Sequence, residues 1–165
     1  MELLKVDGRL NKKRLALSIL IPVVGGSITG WLANRNAQSK YKKLKQPSFA
    51  PPAAIFPIVW TSLYTIMGIA KYRATEKVKH AKENTPAIPL YELQLGLNFL
   101  WSFLFFRWGL RGTALIEMVT MLALIALTAY EFQKVDKTAG VLMMPYIGWV
   151  TFALGLNYAV WKLNK

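Results

Sequence analysis

The chain has 165 residues, 54% of them apolar and 18% charged, with a formal net charge of +13 and no cysteine. That length suits one domain, and the missing thiols exclude disulfides and cysteine chemistry. A mean hydropathy of +0.29 beside so many charges requires segregation: long runs nearly free of charge alternate with short Lys/Arg-rich pieces, the pattern of a multi-span membrane protein. Basic residues that flank apolar runs suit phosphate headgroups and topology signals, and argue against nucleic acid as a partner. The single histidine, His80, falls in a charged segment that reads as a solvated loop, so no metal site is expected.

Five apolar segments follow in chain order: Leu15–Ala33, Ala53–Tyr72, Leu90–Trp108, Thr113–Phe132 and Thr138–Leu163. Each has about 20 residues or more, enough for a helix across a hydrocarbon core of about 30 Å. The fold class expected is therefore all-α, an integral membrane bundle of five transmembrane helices forming a single domain over residues 1–165. The first segment, behind a basic leader, also resembles the apolar core of a signal peptide. It is long for that, and its Gly26 and Gly30 have the small-xxx-small spacing of helices that pack closely, which favours a retained helix. The basic residues of the links lean only slightly towards a cytoplasmic N-terminus.

The links are uneven. The first, "NRNAQSKYKKLKQPSFAPP", is long and basic, and the second, "RATEKVKHAKENTPAIP", is polar and mixed in charge. The third and fourth, near "RWGLRG" and "QKVDK", are short enough to make antiparallel neighbours of the helices they join. Pro51 and Pro52 suit the first positions of the second helix, where a missing N–H costs nothing. Pro57, about a turn further in, predicts a kink or a widening towards a cavity. Pro47 keeps the preceding chain extended, so the long loop is expected to lie over the end of the bundle.

Tryptophan normally marks membrane interfaces, and Trp31, Trp108 and Trp161 lie near segment ends. Trp60, Trp101 and Trp149 instead fall near the middle of theirs, as does Asn98. An unpaired amide at the bilayer centre costs several kcal/mol, so Asn98 should face protein or a cavity. Helical spacing puts Trp101 and Phe105 on its face, Trp60 with Tyr64 on another helix, and Tyr146, Trp149, Ala153 and Asn157 on one stripe of the last. Any one stripe reads as an ordinary packing seam. Together, three aromatic-polar stripes at similar depth suggest the wall of a pocket for a large, flat, mostly apolar ligand.

Glu117, one turn into the fourth segment, reads either as a snorkelling carboxylate near a helix N-terminus or as part of a proton relay; Glu92 lies nearer an interface. No nucleophile motif, phosphate loop or paired carboxylates are evident. Leu156, Tyr158 and Lys162 fit the loose sterol-contact pattern L/V-x-Y-x-K/R, which an ordinary helix end explains equally well.

Three blocks, "YKKLKQPSFAPPAAIFPIVWTSLY", "LNFLWSFLFF" and "MMPYIGWVTFALGLNYAVWKLN", together with "PVVGG" in the first segment, resemble the TspO/MBR family of tryptophan-rich sensory proteins and translocator proteins (peripheral-type benzodiazepine receptors). The resemblance covers nearly the whole chain. It implies a five-helix bundle, often a homodimer, with a pocket under the first long loop that binds porphyrins such as protoporphyrin IX as ligands, no cofactor being required. Eukaryotic members also bind cholesterol and benzodiazepine-site ligands. By position, the resemblance assigns Trp60, Trp149, Ala153, Asn98 and Trp101 to the pocket and Pro51 and Pro52 to the entrance of the second helix. Light-driven or oxidative porphyrin breakdown has been proposed for some members, which would make Trp60 and Trp149 participants. Lys40-Tyr41, Gln46 and Phe49 stand where many members carry "WY", a basic residue and tryptophan, so this loop has fewer indoles. The membrane expected is a bacterial cytoplasmic one, or the mitochondrial outer membrane for a eukaryotic chain.

Overall fold

The structure is a computed structural model that describes residues 2–33, 37–81 and 84–165. Residues 34–36 of the first predicted link and 82–83 of the second lie outside the described residues. Apart from an isolated bridge between Val6 and Arg9, the regular structure described is helical. After a 3-10 turn at Glu2–Leu4 come α1 (Lys12–Ala33), α2 (Ala37–Lys43), α3 (Ile55–Ala81), α4 (Ala87–Ser102), a π turn (Phe103–Arg107), α5 (Arg111–Val135), α6 (Lys137–Leu142) and α7 (Met144–Leu163).

All five apolar segments are helical, but their bounds and spanning capacity differ from the expectation. Three helices are long and apolar enough to cross a membrane: α1, α5, and α6 with α7 taken together as Lys137–Leu163. The other two depart for physical reasons. In α3 the apolar first part runs on into Lys71, Arg73, Glu76, Lys77 and Lys79, so the helix is long but ends charged. The segment from Ala87 is split by the π turn.

The second link thus begins as helix and not as loop. No proline or glycine interrupts residues 69–85, and the charged side chains find partners on neighbouring elements. Arg14 pairs with Glu76, and Lys71 with Glu92. Arg73 reaches Asp136 at 2.9 Å and the carbonyls of Leu3 and Lys5 at 2.6 and 3.0 Å. Lys77 meets Asp7 at 2.5 Å, with His80 3.4 Å from the same carboxylate. His80 therefore sits on the last turn of α3 and not in a loop. Asp7 and Gly8, at φ 50° and 74°, make the tight turn that folds the leader back; an Asp-Gly pair suits two successive left-handed residues. The hydrogen bond from Lys77 holds the Asp7 carboxyl below its ordinary range, helped by His80.

Prolines punctuate differently from the expectation as well. Pro51 and Pro52 precede α3, whose first residue, Ile55, donates its N–H to the Pro52 carbonyl at 3.0 Å. A residue before proline is disfavoured in helical geometry, so Pro52 keeps Pro51 out of the helix. Pro57 falls in the first turn, where no N–H is needed, and it lines the cavity that opens beside α3.

Pro22, inside α1, has the larger consequence. A proline deprives the carbonyl four residues earlier of its helical partner, here that of Ser18. Gly68 of α3 packs onto that carbonyl: a Cβ at Gly68 would lie 2.5 Å from Ser18 O and 2.6 Å from the Ile19 Cα. Only a residue without a side chain lets the two backbones come this close. The core continues from here through Met67, Tyr91, Met121, Ile125, Phe132 and Tyr146, all fully buried, with Tyr91 and Phe132 stacked at 5.8 Å.

At the far end of α4, the π turn closes with Trp108 N–H on Phe103 O at 2.9 Å and stops at Gly109, φ 68°, the left-handed residue that commonly ends a helix. Asp136 ends α5 and caps α6 by accepting the Ala139 N–H at 2.9 Å.

Two outcomes follow. Gly68→Ala should lower stability by about 1–3 kcal/mol through backbone overpacking, whereas Gly96→Ala, where an added Cβ meets nothing within 4 Å, should be neutral or slightly stabilising; thermal unfolding in detergent compares them. Asp136→Ala removes a helix cap and the carboxylate of a nearly buried Arg73, with side chains 4% and 11% exposed, and should cost about 3 kcal/mol in the same assay.

Candidate functional site

From Gly68 towards the first loop, α1 and α3 flank a cavity of about 720 Å³, completed by α4, the π turn and α7. Small residues of α1 make the room. Gly26 lies under the Tyr64 ring, where a Cβ would come within 2.2 Å of it, and Gly30 lines the cavity directly. The small-xxx-small pair thus faces a ring and a cavity, while the close helix contact is made by Gly68.

Planar rings form much of the wall. Trp60 lies tilted against Tyr64 at 5.4 Å, and Trp101 stacks on Phe105 at 5.1 Å and 20°. Behind them a hydrogen-bond chain fixes the rings. Tyr64 OH donates to Asn98 Oδ1 at 2.6 Å, Asn98 Nδ2 donates to Tyr146 OH at 2.9 Å, and Tyr146 OH donates to Gln94 Oε1 at 2.9 Å. Three helices are joined at mid-depth by groups that would each be costly to bury unpaired.

The mouth is covered by α2 and the loop to α3. Tyr41 lies edge-on to Phe56 at 5.7 Å, and Gln46 Nε2 donates to the Tyr41 carbonyl at 2.6 Å. Burial raises the Tyr41 hydroxyl above its ordinary pKa, so it stays neutral. Lys40 Nζ donates to the Phe106 carbonyl at 3.0 Å. Lys45 and Asn164 exchange two bonds, at 3.0 and 2.9 Å, tying the loop to the end of α7. Lys42, Lys43 and Lys45 are exposed.

The structure brings Trp60, Tyr64, Asn98, Trp101, Phe105, Ala153 and Leu156 together on the cavity. It sets others elsewhere. Tyr146 is fully buried behind Asn98. Trp149 lies beyond Phe56, whose ring meets it edge-on at 6.0 Å, and lines a separate void of about 20 Å³. The last helix's expected stripe therefore divides: Ala153 and Asn157 on the cavity, Tyr146 and Trp149 in the layer behind. Pro51 and Pro52 belong to the loop ahead of α3 and do not line the cavity. Leu156 points inward while Tyr158 and Lys162 are exposed, so the sterol-contact pattern does not present one face. Glu117 lies partly buried on α5, away from the cavity lining.

Phe56, Tyr41 and Phe106 line the cavity without having been singled out from sequence. Phe56 was legible, being four residues before Trp60 on a helical face. Phe106 was not: an α-helical period places Phe105 on the face of Asn98, and only the wider π turn brings Phe106 beside it.

The TspO/MBR family model matches residues 18–162. A tryptophan-rich sensory protein of Cereibacter sphaeroides is 38% identical over 75% of this chain and 76% of its own length. A translocator protein of Sus scrofa is 34% identical over 88% and 91%, and a tryptophan-rich protein TspO of Archaeoglobus fulgidus 34% over 94% and 99%. The matched region takes in most of α1, the loop, and the other helices that build the cavity, so the chain belongs to the TspO/MBR family of membrane proteins.

Proposed function

We propose that this chain is a membrane receptor, transporter or sensor that takes a porphyrin-like tetrapyrrole, such as protoporphyrin IX, into the cavity beneath its first loop. The observation that carries the reading is the cavity itself: about 720 Å³ walled by the faces and edges of Trp60, Tyr64, Trp101 and Phe105. That volume suits a ligand of this size, and aromatic faces favour a flat, apolar one. The exposed Lys42, Lys43 and Lys45 on the loop would attract propionate groups as well as lipid phosphates.

Under this reading, α3 and α4 with its π turn also cross the bilayer, giving five spans, with the charged end of α3 at one surface. The chain would sit in a bacterial cytoplasmic membrane as a homodimer. Sterol contact would involve Tyr158 and Lys162 on the outer face of α7, separately from the cavity.

Protoporphyrin IX titrated into purified protein, followed by tryptophan quenching, tests the reading. Saturable binding is expected, weakened about fivefold to tenfold by Trp60→Phe through loss of ring contact, and less by Trp149→Phe, one layer behind the wall. Equal weakening by the two, or none by Trp60→Phe, would move the ligand out of this cavity. Illumination of the complex, compared with free porphyrin in detergent, separates binding from the degradative activity proposed for some family members.

A further inference from the structure

Two asparagine amides border the cavity, and they are in opposite states. Asn98 has both ends engaged within the wall, on Tyr64 and Tyr146. Asn157 is 3% exposed and has no hydrogen-bond partner for either Oδ1 or Nδ2, although both atoms are shielded from solvent. Among the described residues, it is the sole buried carboxamide with both ends unpartnered. The residue lines the cavity, between Ala153 and Val160 on the same face of α7, with its amide atoms set beneath the surface of the wall. The Trp101 Nε1 donor, likewise buried and unpartnered, borders the same space.

Buried polar groups are nearly always satisfied, and one that is not lowers stability. A carboxamide offers a donor and an acceptor side by side, so the group that completes it must present the reverse pair on one edge. We propose that Asn157 is the polar anchor of the cavity. A turn of its side chain on binding brings the amide into the cavity, where it takes a ligand group that donates and accepts on one edge, an amide, a lactam or a protonated carboxyl, while the Trp101 indole N–H takes a second acceptor. Asn98 positions the rings and does not select the ligand. This rests on the tetrapyrrole reading for its probes, and gives that reading a chemical specificity: the side-chain carboxyl or amide edge of the macrocycle is read within the cavity, below the basic loop.

The test uses protoporphyrin IX as its diamide, which both donates and accepts, and as its dimethyl ester, which only accepts. Each is titrated into wild type, Asn157→Leu and Asn157→Ala by tryptophan quenching. Wild type should bind the diamide about tenfold more tightly than the ester, because a site built for a donor penalises its absence. Both variants should bring that ratio to about one through loss of diamide affinity, with ester affinity within about twofold of wild type. Unliganded Asn157→Leu should melt no lower than wild type, since it removes an unpaired buried amide; a purely structural asparagine would give a lower melting temperature. Saturable binding of both probes with a ratio unaffected by the substitutions would overturn the anchor alone. If neither probe binds wild type saturably, the tetrapyrrole reading falls and the anchor with it.

Discussion

The cavity depends on how closely α1 and α3 approach one another at a single level. Pro22 removes the helical partner of the Ser18 carbonyl, and Gly68, having no side chain, lets the backbone of α3 pack against that carbonyl. Lipid tails offer no hydrophobic reason for two apolar helices to associate, so close packing and backbone contacts of this kind must do so. With the pair fixed there, glycines at 26 and 30 leave the space towards the loop open, and the rings of α3 and α4 turn into it. A side chain at Gly68 would separate the helices where they should touch; one at Gly26 would push on the Tyr64 ring, and one at Gly30 would enter the cavity it lines.

The two ends of the bundle are held by different chemistry. At the leader's end, carboxylates paired with guanidinium and ammonium groups interlock α1, α3, α4, α5 and the leader, with Arg73 reaching two backbone carbonyls as well as Asp136. At the loop's end, cations meet carbonyls instead: Lys40 on Phe106 and Arg107 on Leu32 at 3.2 Å. Breaking an ion pair that is nearly buried costs several kcal/mol, whereas exposed contacts to carbonyls cost much less. The end that covers the cavity is therefore the one more easily opened, and the opposite end serves as the fixed base.

Much of this was legible in the sequence. The segregation of charge from apolar residues gave the helices, and tryptophans placed away from the interfaces pointed to Trp60 and Trp101 as wall residues. Three features were hidden, each because it depends on more than local pattern. The charged end of α3 reads as a link until its partners on other elements are known. The π turn breaks the period on which face assignments rest, so Phe106 was overlooked and the segment Leu90–Trp108 looked like one uninterrupted helix. Trp149 lies at a promising depth, but Phe56 on a different helix stands between it and the cavity, which no one-dimensional spacing reports. Asn98 and Asn157 look alike in sequence; only their surroundings separate a spent amide from a free one.

The pair of hydrogen bonds between the Lys45 backbone and the Asn164 side chain has a practical consequence. They tie the loop over the cavity to the end of α7, so while they hold, a movement of the loop pulls on Asn164. A spin label or fluorophore placed at Lys165 would report on the loop without touching a cavity residue. By the same linkage, a bulky carboxy-terminal fusion would load the cover of the cavity, and purification handles are better joined elsewhere.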